Sequence, residues 1–264
     1  MRFATVSTLR ASSQPALVIE DRVHTLPYAD MKAVIAAGAA KAASRASKES
    51  LSLDEVNFHS PIHPTTLRDA YAFEQHVVTA NRNRGRDVPE EWYQFPVFYF
   101  TNPNAVFGHE DVIPYPPYTN AMDYELEIAA VIGKGGTNIK PEDVPSHIFG
   151  YTIFNDWSAR DVQRKEMIVG LGPAKGKDFA SSFGPVIVTH ESLADKATDR
   201  PGVYDLEMTA RINGKEFSRG NFKDIHWSFG EIIARASESV MLHPGDVIGS
   251  RTVGTGCLLQ LEKF

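Results

Sequence analysis

The chain of 264 residues has a single cysteine, Cys257. That excludes an intramolecular disulfide and any zinc site built from several thiolates. Long apolar runs are missing too: none approaches the ~18 residues that a membrane-spanning helix needs. The opening MRFATVSTLR lacks the apolar core of a secretory signal, so a cytoplasmic location is expected. There is no basic excess. Lys and Arg number 27 against 33 Asp and Glu, a formal charge of −6, which argues against nucleic acid as the main partner, because phosphate binding leaves a basic imprint. Lys175-Gly176-Lys177 does not complete the GxxxxGK[ST] form of a phosphate loop, and no clear helix follows Gly254 and Gly256. What remains is an ordinary apolar share of 42%, in a chain long enough for one large domain or two modest ones.

The pattern along the chain is strand-rich, with helices interspersed and no βαβ regularity. Residues 2–6, 16–20 and 24–26 read as short strands. An alanine-rich helix is expected over 31–47, capped by Asp30 and weakened by Gly38. These form a small N-terminal lobe, residues 1–60, ahead of a larger domain, 61–264. A helix is expected over 65–82, a polar loop over 81–91 and a buried strand over 92–100. Strands are expected at 124–132, 151–154, 185–190, 203–213 and 246–249, with a hairpin turn at Asn213-Gly214 and one more helix over 222–237. The fold class is therefore α+β.

Chemistry concentrates in 123–163. Glu125 and Glu127 are two apart in a β-branched run, so in a strand they point to one face and repel unless a cation lies between them. Asp156 ends a second strand-like run, 151–154, and brings a third hard oxygen ligand, of the type that suits Mg²⁺, Mn²⁺ or Ca²⁺ better than zinc. On the expected 65–82 helix, Asp69 and His76 are two turns apart and share a face. Asp69 is a fourth ligand candidate, and His76 a general base with a suitable ordinary pKa. Arg160 and Asp161 are adjacent and form a possible structural ion pair.

DYELEIAAVIGKGG, FNDWSARDVQ, GPAKGKDFASSFGP and GDVIGSRTVGTG, in that order and spacing, resemble the signature blocks of the fumarylacetoacetate hydrolase family over about 61–256. The resemblance implies a mixed β-sheet roll around a metal, and a homodimer. It implies Asp69, Glu125, Glu127 and Asp156 as ligands of a divalent cation, Mg²⁺ first and Mn²⁺ or Ca²⁺ next. It further implies catalytic roles for His76 and Lys177, and substrate contacts from Tyr71, Gln163 and Thr252. The implied reaction is hydrolysis of a C–C bond in a 2,4-diketo acid, fumarylacetoacetate or an acylpyruvate, in aromatic catabolism. The alternatives are oxo-acid decarboxylation or tautomerisation on the same centre, or metal and ligand binding without turnover. The glutamate that pairs with the family's histidine has no counterpart three residues after His76, where Thr79 stands. Glu74, Glu90 and Glu91 are the candidates, and Glu262 lies too close to the glycine-rich turn.

Overall fold

A computed structural model of the chain describes residues 1–9, 11–254 and 256–257; Glu262 lies outside them. The architecture is α+β and strand-rich, as expected. Thirteen of the described strands form one mixed sheet. Its centre is the strand Leu126–Ile132, in which every residue is buried. It pairs antiparallel with Ile148–Asp156 on one side and with Val247–Gly249 on the other. Val247–Gly249 runs parallel to Leu67–Ala70, which pairs in turn with Phe98–Thr101.

A strand alternates its side chains between two faces, and here each face has its own core. Leu126, Ile128, Ala130 and Ile132 point into one, with Ile248, Tyr151, Phe222 and Phe229. Ala129 and Val131 point into the other, with Leu67, Phe154 and Val247. The first core is closed by the helix Phe229–Ala236, whose start is fixed by a reciprocal cap between Ser228 and Glu231. Its Phe229 ring lies 5.6 Å from Tyr151 and 5.9 Å from Phe222. The second core is roofed by the alanine-rich segment through Met31, Val34, Ile35 and Ala42. The first strand, Arg2–Thr8, pairs with Val186–Thr189, so the N-terminal strands extend the same sheet.

Several expected elements differ. Residues 65–82 are not one helix: Leu67–Ala70 is a strand and the helix is Glu74–Arg82. Parallel pairing with the distant Val247–Gly249 overrides the local helix propensity. The alanine-rich helix breaks at Gly38, where φ is +84°, into Met31–Ala37 and Ala39–Ala43. Residues 92–100 hold a 3₁₀ turn at Glu90–Tyr93 before the strand Phe98–Thr101, and Phe100 is 63% exposed. The last helix starts at Phe229, after a separate 3₁₀ turn at Phe222–Asp224. No helix among the described residues is long and apolar enough to cross a membrane.

Candidate metal centre

The alternation that sorts the two cores also builds the site. Asp69 is two residues beyond Leu67, Asp156 two beyond Phe154, and Glu127 and Glu125 two and four before Ala129. Leu67, Phe154 and Ala129 belong to one core, so the four carboxylates lie on that same face, at one end of the sheet. All four are fully buried, and one oxygen from each lies within 4.8 Å of the others. Asp69 thus joins the set from a strand and not, as its spacing to His76 implied, from a helix. Gly249 makes room for it. A Cβ built there would stand 2.7 Å from Asp69 Oδ1 and 2.6 Å from the Phe154 ring, so a side chain at this position would push the carboxylate out of place.

Three cations face the cluster. Lys177 Nζ lies 2.9 Å from Glu125 Oε2 and 2.7 Å from Asp156 Oδ2. Its loop is tied down by the Ala174, Lys175 and Gly176 amides, which donate to the Glu166 carboxylate at 2.8, 2.7 and 3.1 Å. Arg160 does not pair with Asp161; it donates to Asp123 at 2.7 Å and to Glu125 at 2.6 Å. Asp161 instead takes the Thr119 hydroxyl and the Asn120 amide. Arg251 reaches in from the glycine-rich turn, Nη1 at 3.1 Å from Asp69 Oδ2 and Nε at 3.4 Å from Glu125 Oε2. Its backbone N–H donates to Asp69 Oδ1 and Glu127 Oε2 at 2.9 and 3.0 Å. The Tyr99 hydroxyl donates to Asp156.

The electrostatics follow from burial and these neighbours. Burial pushes the Asp69 carboxyl up to about 6, and Arg251 limits the rise. Glu127 is driven well above the usual carboxylate range, first by burial, then by Asp69, Glu125 and Asp156. Glu125 is equally buried but goes the other way, because Arg251, Lys177, Arg160 and His76 together outweigh desolvation. Counting Asp123, five carboxyl groups face three cations, so acidic groups outnumber basic ones. Glu127 Oε1 and Asp156 Oδ1 are buried and accept no hydrogen bond among the described residues. Buried carboxylate oxygens without donors are costly, and one divalent cation would satisfy them. Opposed oxygens around Mg²⁺ or Ca²⁺ stand roughly 4–5 Å apart, which agrees with the 4.8 Å span. The donor set therefore fits a divalent ion of the hard, oxygen-seeking type.

A cleft of about 190 Å³ opens onto the cluster, walled by Asp69, Tyr71, Arg84, Tyr99, Gln163 and Arg251 among others. Tyr71 and Gln163, expected substrate contacts, are on this wall. Tyr71 is held by its carbonyl, which accepts from Trp92 Nε1 at 2.8 Å. Gln163 Oε1 accepts from Arg160 Nη1 at 3.1 Å. His76 is not on the wall: it is buried, its ring 5.4 Å from that of Tyr71 and edge-on to it. Thr252 is buried off the wall as well, its hydroxyl without a hydrogen-bond partner among the described residues. Of the acids considered for His76, Glu74 takes the Tyr93 hydroxyl at 2.8 Å and Glu90 and Glu91 are exposed. His76 helps, after Arg251, Lys177 and Arg160, to hold the Glu125 carboxyl low. Sequence reasoning overlooked Arg251, Tyr99 and Arg160 as parts of the site. For Arg251 a signal existed: it lies two residues after Gly249 and four after Val247, on the parity of the carboxylate-bearing side.

Residues 65–262 match the family model described as the C-terminal region of fumarylacetoacetate (FAA) hydrolase. The oxaloacetate tautomerase YisK of Bacillus subtilis is 33% identical over 213 residues, 78% of this chain and 65% of that protein. A fumarylacetoacetase of Oryza sativa is 33% identical over 225 residues, 67% of this chain and 52% of its own length. The chain thus spans about half to two thirds of these curated relatives. Among solved structures, a fumarylacetoacetate hydrolase from psychrophilic Exiguobacterium antarcticum superposes with a TM-score of 0.75 at 26% identity, over 97% of this chain and 88% of that one.

Proposed function

This chain belongs to the fumarylacetoacetate hydrolase family, and from that premise we propose that it is a divalent-metal-dependent tautomerase of a small 2-oxo acid of the oxaloacetate class. The observation that carries the reading is the set of four buried carboxylates, two with unsatisfied oxygens, at the end of a small cleft walled by two arginines. The similarity to an oxaloacetate tautomerase favours enolisation over cleavage.

Asp69, Glu125, Glu127 and Asp156 would hold the ion, Mg²⁺ or Mn²⁺ in preference to softer metals. When bound, it supplies Lewis acidity toward the oxygens of a 2-oxo acid. Lys177 Nζ bridges Glu125 and Asp156 at 2.9 and 2.7 Å and aims both carboxylates at one point. Arg84 and Tyr71 on the wall offer donors to a substrate carboxylate. His76, buried off the cleft wall and packed edge-on against Tyr71, is our candidate for the proton transfer once its ring turns into the cleft, since an imidazole's usual pKa suits exchange near neutral pH. The reaction takes a proton from the carbon next to the carbonyl and returns one to the carbonyl oxygen, so no water is consumed. A second reading, C–C hydrolysis of a 2,4-diketo acid, is favoured by the fumarylacetoacetase relatives and needs water activated by the same histidine.

Ultraviolet absorbance separates the two. Metal-loaded protein should speed the keto–enol conversion of oxaloacetate without forming new acids, and EDTA should remove the effect. Loss of the chromophore of fumarylacetoacetate or an acylpyruvate with two acid products, and no effect on oxaloacetate, would replace the first reading with the second. No effect on either substrate class would overturn both.

A further inference from the structure

Arg251 is an unusual residue for its place. Its φ is +69°, in the left-handed region where a side chain is disfavoured and glycine is at ease. The conformation persists because the surroundings hold it. The Arg251 N–H is locked between Asp69 and Glu127, Ala72 N–H donates to Ser250 O at 3.2 Å, and Val253 N–H to Leu126 O at 3.0 Å. Strain of this kind marks sites where geometry serves a purpose. Here it turns the guanidinium back onto the cage. Nη1 lies 3.1 Å from Asp69 Oδ2, 3.7 Å from Asp156 Oδ2 and 3.4 Å from the Tyr99 hydroxyl, and Nε is 3.4 Å from Glu125 Oε2. The side chain is only 12% exposed. One tethered cation thus touches three of the four carboxylates that a divalent ion would need.

We propose that Arg251 is a built-in competitor for the metal: its guanidinium neutralises the metal-free cage, and a divalent ion binds only by displacing it from Asp69 and Glu125. The inference rests on the reading of the cage as a divalent-metal site. Chemistry supports the exchange. The carboxylates bind either a planar five-donor cation or a small ion that draws oxygens inward, and the same lone pairs cannot serve both. The displaced guanidinium has somewhere to go. Arg251 also lines the cleft, with its guanidinium carbon 5.8 Å from the Tyr71 ring and 5.5 Å from that of Tyr99, where it would meet an anionic substrate instead of the cage. Metal loading would then both build the centre and free an anion-binding group.

Titration calorimetry with Mn²⁺ on metal-stripped wild type, Arg251→Gly and Arg251→Ala tests this without any turnover assay. Glycine is the safer fold, since it suits the left-handed backbone. Both variants are expected to bind Mn²⁺ at least tenfold more tightly than wild type, and Arg251→Lys, which keeps a single point charge, between them and wild type. Thermal melts should agree, with a larger rise on adding Mn²⁺ in Arg251→Gly than in wild type. Equal or weaker Mn²⁺ binding by folded Arg251→Gly and Arg251→Ala, with wild type binding normally, would overturn the competition and leave the proposed function standing. No Mn²⁺ binding by any of the four proteins would overturn the metal-site reading and the competition with it.

Discussion

On the hairpin formed by Glu207–Ile212 and Lys215–Asn221, Arg219 holds Glu207 and Glu216 in open solvent, its side chain 50% exposed. In the carboxylate cage, Arg160, Lys177 and Arg251 hold Asp123, Glu125, Asp69 and Asp156 with almost no access to water. The residue types are the same, but the physics differs. Water screens the hairpin charges, and such pairs contribute little. In the cage, desolvation is large, positive and negative charges do not balance, and Glu127 and Asp69 are pushed toward the protonated state. Folding alone does not favour such an arrangement. It makes sense when something absent from the polypeptide completes it.

Removing a cage carboxylate is expected to have the largest effect. Asp156→Ala or Glu127→Ala should lower metal-dependent turnover by roughly 10³-fold or more, at or above the loss seen for one preorganised electrostatic contact, while circular dichroism shows the fold retained. Turnover close to wild type in either variant would put the cage on the hairpin's side of the comparison. His76→Ala comes next. It should cut turnover about 10²–10⁴-fold, the usual range for a proton-transfer group, and leave Mn²⁺ affinity unchanged. A loss of Mn²⁺ binding instead would make His76 a support for Glu125 and not the base.

The pH dependence sharpens the contrast further. A carboxyl whose folded pKa is raised binds its proton more tightly in the folded state. Its stabilising contribution is complete below the unfolded value and is lost as pH rises through the folded one. For Asp69 that window runs from the ordinary aspartate value of 3.8 to about 6, and for Glu127 it extends higher. Glu125, shifted down, contributes in the opposite sense at lower pH. Metal-free protein should therefore lose stability through Asp69 and Glu127 as pH rises, and bound Mg²⁺ should offset the loss. Melts of metal-stripped and Mg²⁺-saturated protein at pH 5 and pH 8 should show the gap between them widening at pH 8. A gap of equal size would mean that these carboxyls take up no protons. At the small end, Arg219→Ala on the hairpin should leave the melting temperature and Mn²⁺ affinity at wild-type values; a marked drop in either would show that exposure does not separate the two regions.

How much of this was legible in the sequence depends on the range of the contacts involved. Glu125 and Glu127 are legible because their two-residue spacing is local, with Glu127 inside the strand Leu126–Ile132 and Glu125 just ahead of it, and Asp156 because it ends the strand Ile148–Asp156. For Asp69 the local pattern predicts a helix, since nothing local reveals that Leu67–Ala70 pairs with a strand some 180 residues later. Tyr99 was hidden for the same reason: it sits opposite Asp69 in a pairing that sequence alone does not disclose. Adjacency pairs Arg160 with its chain neighbour Asp161, whereas the structure gives it Asp123 and Glu125, 37 and 35 residues away. Arg251 is legible by parity, but a glycine-rich turn reads as backbone, which masks its side chain.

The most direct test of the account is electron paramagnetic resonance of Mn²⁺ titrated into metal-stripped wild type, Glu127→Ala and Asp156→Ala. The account predicts that wild type silences the free-ion signal until one Mn²⁺ per chain is bound, and that neither variant does so in the same concentration range. Retention of that single site in both variants, or no bound Mn²⁺ in wild type, would contradict it.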